Sequence, residues 1–247
     1  MTPTEIMHNL MQHDLHLQDT MTAARKERKA MGPVLVDLVT RLGHQSMREM
    51  NPLELNALLP SLFLLGEWRE PFAYRPFVRL LSRASPIVEH LLGDHATESG
   101  SYRILASVFD GDLAPLCDAA CNPRADEFVR GTFMNALVLV SLAHPEQRKK
   151  IENFFRKFRE LCPDAPDDVM ISWMTSISEL GLEDMLEGIR VDMQNEKLPA
   201  YYTDFASFEA LLRETIDGNG VPVGGRYRKF LISDAIDDLL QKTTRSD

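Results

Sequence analysis

Strict alternation of apolar and polar residues, the mark of a half-buried strand, is nearly absent from this chain of 247 residues. Its best strand candidate, Val221–Val223, is too short to build a sheet. Cysteine is scarce as well: Cys117, Cys121 and Cys162 are the only three, too few for a small disulfide scaffold. The longest apolar runs, Ala57–Leu65 and Phe133–Ala143, fall well short of the ~20 residues that a membrane-crossing helix needs. With 13 glycines and 14 prolines the chain is not low-complexity. No P-loop, nucleophile elbow or zinc-protease helix occurs. The first residues carry no basic stretch followed by an apolar core, so the expectation is a soluble, cytoplasmic protein with reduced thiols and no membrane partner. Cys117 and Cys121 stand four apart, a poor spacing for a disulfide within one helix, and two thiols do not complete a zinc site.

What is present is helical. Apolar residues make up 44% of the chain and charged residues 26%, the balance of a globular fold. Thr2-Pro3-Thr4-Glu5 is a capping box with proline at the first helical position. Ile6, Leu10, Leu17 and Met21 then recur at spacings of four and seven, a stripe expected to run to a break at Gly32-Pro33. A short helix, Val34–Arg41, should follow and stop at Gly43. Beyond it, Pro and Gly punctuate a series of helical runs. The clearest are Pro52–Leu65, Phe77–Ser82, Ile87–Leu92, Ser101–Phe109, Ala114–Ala120, Glu127–Ala143 and Glu146–Leu161. Asp167–Glu179, Leu182–Asn195, Phe205–Ile216 and Ile232–Gln241 complete the set. Connections of a few residues between helices of 8–17 suit antiparallel hairpins, closed as a bundle or stacked as a solenoid. Asp112–Ala143 favours the solenoid. A short helix, an Asn-Pro turn, then Asp126, Val129-Arg130 and an apolar run reads like a HEAT-type unit, with Asp126 capping a helix and Arg130 bridging to a neighbouring turn.

Four stretches carry a resemblance. They are Leu62-Phe63-Leu64-Leu65-Gly66-Glu67-Trp68-Arg69-Glu70-Pro71, Leu91-Leu92-Gly93-Asp94-His95-Ala96-Thr97-Glu98, Ile104-Leu105-Ala106-Ser107-Val108-Phe109-Asp110-Gly111-Asp112 and Asp126-Glu127-Phe128-Val129-Arg130. In this order they resemble a bacterial domain family of unknown function, number 1186 of that series, over about residues 50–200. The resemblance implies a HEAT-like α-α superhelix and transfers no catalytic residue. Some relatives add a Cys-rich zinc motif at the C-terminus; here the last cysteine is Cys162. The expected layout is one all-α domain over 1–247. It would have an N-terminal helical arm to about 45, a HEAT-like core over about 46–200 and a helical tail over about 201–247.

Charge is unevenly laid out. The net charge is −10, which disfavours general nucleic-acid binding. Residues 161–225 hold 13 acidic and 3 basic side chains, whereas 126–160 hold 7 basic and 5 acidic. Arg148, Lys149, Lys150, Arg156, Lys157 and Arg159 form one basic helix face opposite Ile151, Phe154, Phe155, Phe158 and Leu161. Asp184 and Glu187 lie in the acidic stretch, whose spacing does not match a calcium loop.

Three functions follow as expectations. The first is a non-enzymatic scaffold that binds a protein or peptide, including a basic one, through Arg148, Lys149, Arg156, Arg159, Asp184 and Glu187. The second is phosphate or nucleic-acid binding through helix 146–161, with the loop Gly218-Asn219-Gly220 and Gly224–Lys229 as a further anion site. The third is acid–base catalysis by Asp94, His95 and Glu98. Against it stands a plainer account in which Gly93 ends one helix and Asp94 or Thr97 caps the next. His8, His13, His16 and Asp14 lack a ligand set for a metal, so neither a metal nor a cofactor is expected.

Overall fold

A computed structural model describes residues 1–12, 16–199, 204–218 and 230–243, with side chains omitted at Ser99 and 241–243. The described helices are, in chain order, α1 (Pro3–Met11), α2 (Leu17–Lys26), α3 (Arg28–Leu42), α4 (Pro52–Trp68), α5 (Tyr74–Leu81), α6 (Ser85–Leu92) and α7 (Ser99–Ser107). They continue as α8 (Ala114–Ala120), α9 (Glu127–Ala143), α10 (Arg148–Leu161), α11 (Asp167–Leu180), α12 (Leu186–Gln194), α13 (Phe205–Asp217) and α14 (Ala235–Thr243). Four short 3-10 turns lie between them, and no strand occurs among the described residues. Val221–Val223 and Gly224–Lys229 fall outside the described residues.

The chain divides into two compact units, residues 1–112 with 231–247, and residues 113–230. In the first unit α4 is the axis, and α1, α3, α7 and α14 pack against it. Its composition explains this position, because Leu58, Leu62, Phe63, Leu64 and Leu65 are all buried and no single face is polar. Each such side chain contributes roughly 1.5–3 kcal/mol on burial. The residues read from the sequence as a tail are divided between the units. Helix α13 belongs to the second unit, while α14 lies against α4 in the first. Gly66 makes room for this approach: a Cβ there would stand 3.1 Å from Ile232 Cγ1.

At the chain start the capping box forms, with Thr2 Oγ1 accepting from Glu5 N and Glu5 Oε2 accepting from Thr2 N. The expected break at Gly32-Pro33 does not. Helix α3 runs through both residues, and the interruption falls at Glu27. An interior proline costs about 3 kcal/mol. Burying Met31, Leu35, Leu38, Val39 and Leu42 along one continuous stripe outweighs that cost.

In the second unit α9, α11 and α13 pack side by side in that order, α8 and α10 lie against α9, and α12 lies against α13. Successive helices therefore form hairpins whose second members share a row. The row closes tightly at Gly131, where an added Cβ would meet Ser172 Oγ at 2.6 Å. Trp173, 1% exposed, donates from Nε1 to the Phe155 carbonyl at 2.8 Å and ties α11 to α10.

Candidate functional site

Helix α10 buries Ile151, Phe155 and Phe158 as its periodicity requires, with Phe154 half-buried. Leu161, counted on the apolar face from spacing alone, is 57% exposed because it closes the last turn. The arginines of the opposite face turn toward the acidic stretch of their own unit. Arg156 Nε and Nη2 reach Asp184 at 2.8 and 3.0 Å, and Arg156 Nη1 reaches Glu152 at 3.4 Å. Arg148 donates to Glu152 at 2.9 Å and to the Leu180 carbonyl at 2.7 Å. Arg159 pairs with Asp192, and Glu187 pairs with Arg190 one turn away on α12. The Arg156 hydrogen bond holds the Asp184 carboxyl below its ordinary pKa, and that to Arg190 does the same for Glu187. Of the six residues expected to meet a partner, five thus meet internal partners. Lys149, with Lys150 and Lys157, stays exposed and makes no ion pair among the described residues.

The loop around Asp94 forms a 3-10 turn, Gly93–Ala96. Gly93 closes α6 at φ +52, and the Asp94 carbonyl accepts from the backbone of Thr97 and Glu98. Neither the turn nor α7 has a side-chain cap. His95 Nδ1 and Glu98 Oε2 are 2.8 Å apart, with side chains 39% and 42% exposed. This is an imidazole–carboxylate pair at the surface. Asp126 accepts from Phe128 N and Val129 N and caps α9. Arg130, 3% exposed, donates from Nε to the Ala120 carbonyl of α8 at 2.8 Å. Burial lowers its pKa, opposed by the charge of Glu127. His13 and Asp14 lie outside the described residues, and among those described no group of three His, Cys, Asp or Glu could hold a metal.

Three features escaped sequence reasoning. Cys121 and Cys162, read as reduced thiols, form a disulfide with Cα atoms 5.8 Å apart, the usual span. Their separation of 41 residues hid the pairing. Arg103 and Asp238 form a bidentate pair, both bonds at 2.8 Å, with side chains 1% and 7% exposed. The only signal was Arg103 inside an apolar run, while Asp238 is one of three aspartates in its own. The third is an open groove of about 610 Å³ lined by residues including Arg28, Lys29, Pro33, Val36, Thr40 and Phe72. Phe72 is 78% exposed, held by a 3-10 turn that Pro71 opens and the Glu70 carboxylate caps. An aromatic directly after Pro71 in a turn was the available clue.

These arrangements define an all-helical protein of packed hairpins, with an exposed aromatic groove in one unit and, in the other, a charged face whose arginines are paired internally. The chain belongs to the family described as "Protein of unknown function (DUF1186)", whose model matches residues 1–245. The match covers the ends as well as the stretch over 50–200 on which the resemblance rested. No curated protein matches the chain, and no solved structure does. No helix among the described residues is long and apolar enough to cross a membrane.

Proposed function

We propose that this protein is a non-enzymatic helical scaffold that binds a protein or peptide partner through the groove beside Phe72. The observation that carries the reading is Phe72 itself, 78% exposed over a groove of about 610 Å³. Large aromatics left in water next to a concave apolar wall mark interaction surfaces, and such residues dominate binding energy when covered. Pro33 and Val36 supply the wall, while Arg28 and Lys29 with Asp37 and Glu70 flank it with charges of both signs. The α8–α13 hairpins, with α9, α11 and α13 in one row, support a HEAT-like reading of the second unit.

Because the arginines of α10 and the carboxylates at 184 and 192 already answer each other, the partner is read mainly by apolar contact. The test is affinity capture from native lysate with the wild-type chain and Phe72→Ser in parallel, with nuclease and at low and high salt. A protein band that survives nuclease and high salt but is lost with Phe72→Ser supports the reading. A band indifferent to Phe72→Ser refutes it.

A second reading has its own observation. Lys149, Lys150 and Lys157 are exposed on α10 without ion pairs among the described residues, and could hold phosphates. In the same capture, recovery that disappears with nuclease and on reversing these lysines to Glu would transfer the function to that face.

A further inference from the structure

We propose that the groove beside Phe72 takes the tryptophan of a partner peptide, whose indole N–H donates to the backbone carbonyl of Lys29. The inference rests on the reading of that groove given above and names its anchor. Pro33 stands inside α3 and carries no N–H. Each interior carbonyl of an α-helix accepts from the amide four residues on, so the Lys29 carbonyl loses that partner at Pro33. Both residues are exposed, and both line the groove with Phe72. The turn that carries Phe72 lies against α3 here, since a Cβ on Gly32 would stand 3.6 Å from Glu70 Oε2.

Charges of both signs surround the groove, but most of its polar groups are answered within the chain. Arg28 donates to the Trp68 carbonyl, Asp37 accepts from Arg41 at 2.8 Å, and Glu70 accepts from Phe72 N at 3.4 Å. Thr40 Oγ1 donates to the Val36 carbonyl at 2.7 Å. Two groups are left for an occupant: the Lys29 carbonyl, and the Lys29 ammonium, which makes no ion pair among the described residues. They fix the occupant by complementarity of charge. The carbonyl oxygen is a partial negative charge that calls for a donor, and the ammonium favours an electron-rich ring face. An indole answers both without a net charge of its own, because its N–H donates and does not accept. Among aromatic rings it also holds a cation best. Its apolar body then lies against Pro33, Val36 and Phe72. Solvent answers the carbonyl while the groove is open. Once the groove is covered, an anchor without a donor leaves that oxygen unpaired, a penalty of roughly tenfold in affinity. This selects tryptophan over phenylalanine or leucine.

The test uses the full chain. Peptides enriched from a random library on the wild type, and lost on Phe72→Ser, should share a tryptophan. Replacing that residue by benzothienylalanine keeps the fused ring and removes the N–H. On the wild type this should weaken binding roughly tenfold, read by fluorescence polarisation of the labelled peptides. Pro33→Ala restores the amide that closes the Lys29 carbonyl, and alanine is the better helix former, so α3 is kept. In that variant the two peptides should bind equally. Lys29→Met should weaken both alike, by about two- to fivefold, and leave their ratio unchanged. Three outcomes would each overturn the inference while the groove reading stands. These are Phe72-dependent peptides without tryptophan, equal binding of the two peptides to the wild type, and a ratio that survives Pro33→Ala. Peptides held equally by wild type and Phe72→Ser would remove both the inference and the reading.

Discussion

Removing the Asp238 carboxylate tests how the C-terminal helix is held. Arg103 is 1% exposed and meets Asp238 through two parallel hydrogen bonds of 2.8 Å, across 135 residues of sequence. Asp238→Ala takes the Asp238 carboxylate away from a buried guanidinium, and breaking a buried ion pair costs about 3–5 kcal/mol. Neighbouring contacts hold the same segment. Ala235 N donates to Glu67 at 2.7 Å, Ile232 N to Ser107 Oγ at 2.9 Å, and Arg25 bonds both Glu67 and Asp234. Burial alone would lower the Arg25 pKa, but the Glu67 and Asp234 hydrogen bonds outweigh it and raise it. These contacts keep α14 docked while the unit as a whole loses stability, a large fraction of the 5–15 kcal/mol of a typical domain. The assay can be read unit by unit because Trp68 lies in the first unit and Trp173 in the second. In a Trp173→Phe background, urea unfolding followed by Trp68 fluorescence should shift by the full 3–5 kcal/mol. The Trp173 transition, followed in a Trp68→Phe background, should hold. Adding Arg103→Met to Asp238→Ala should recover most of the loss, because an apolar pair replaces a buried ion pair at little cost. A loss under 1 kcal/mol, or a double variant no better than the single, would refute the reasoning.

Asp184→Asn removes a pair that is 58% exposed at the carboxylate, so it should cost no more than about 1 kcal/mol at pH 7. The folded pKa of Asp184 is lowered, so its stabilisation is complete above the unfolded value near 4 and fades as pH falls through the folded value. Urea midpoints of variant and wild type should differ at pH 7 and converge toward pH 3. Gly131→Ala places a methyl 2.6 Å from Ser172 Oγ and should cost about 1–3 kcal/mol, with Ser172→Ala in the same chain restoring part of it in thermal melts. Cys121→Ser with Cys162→Ser opens a loop of 41 residues and should lower stability by about 3–4 kcal/mol on the chain-entropy account, seen in the Trp173 transition.

The helices were legible because their signals are local. Asp126 before Glu127–Ala143 and Thr2 with Glu5 are caps read within one turn, and the structure places both caps there. Pro33 misled for the same reason: its local penalty is plain, while the burial that outweighs it is tertiary. The charge runs of α10 and 161–225 were visible as opposite patches, but adjacency in sequence said nothing of the turn that folds Asp184 onto Arg156. Cys121–Cys162 and Arg103–Asp238 join residues 41 and 135 apart, and no periodicity carries such pairings. The exposure of Phe72 follows from how α3 and the turn at Pro71 pack, which no local pattern gives.

The most direct test of the central claim is to pan a random peptide library on the full chain and on Phe72→Ser. The account predicts that the wild type enriches peptides sharing an aromatic or aliphatic anchor and that Phe72→Ser loses them. A chain with Lys149, Lys150 and Lys157 reversed to Glu should keep them. Peptides enriched equally by wild type and Phe72→Ser, or enrichment that depends on the three lysines alone, would contradict it.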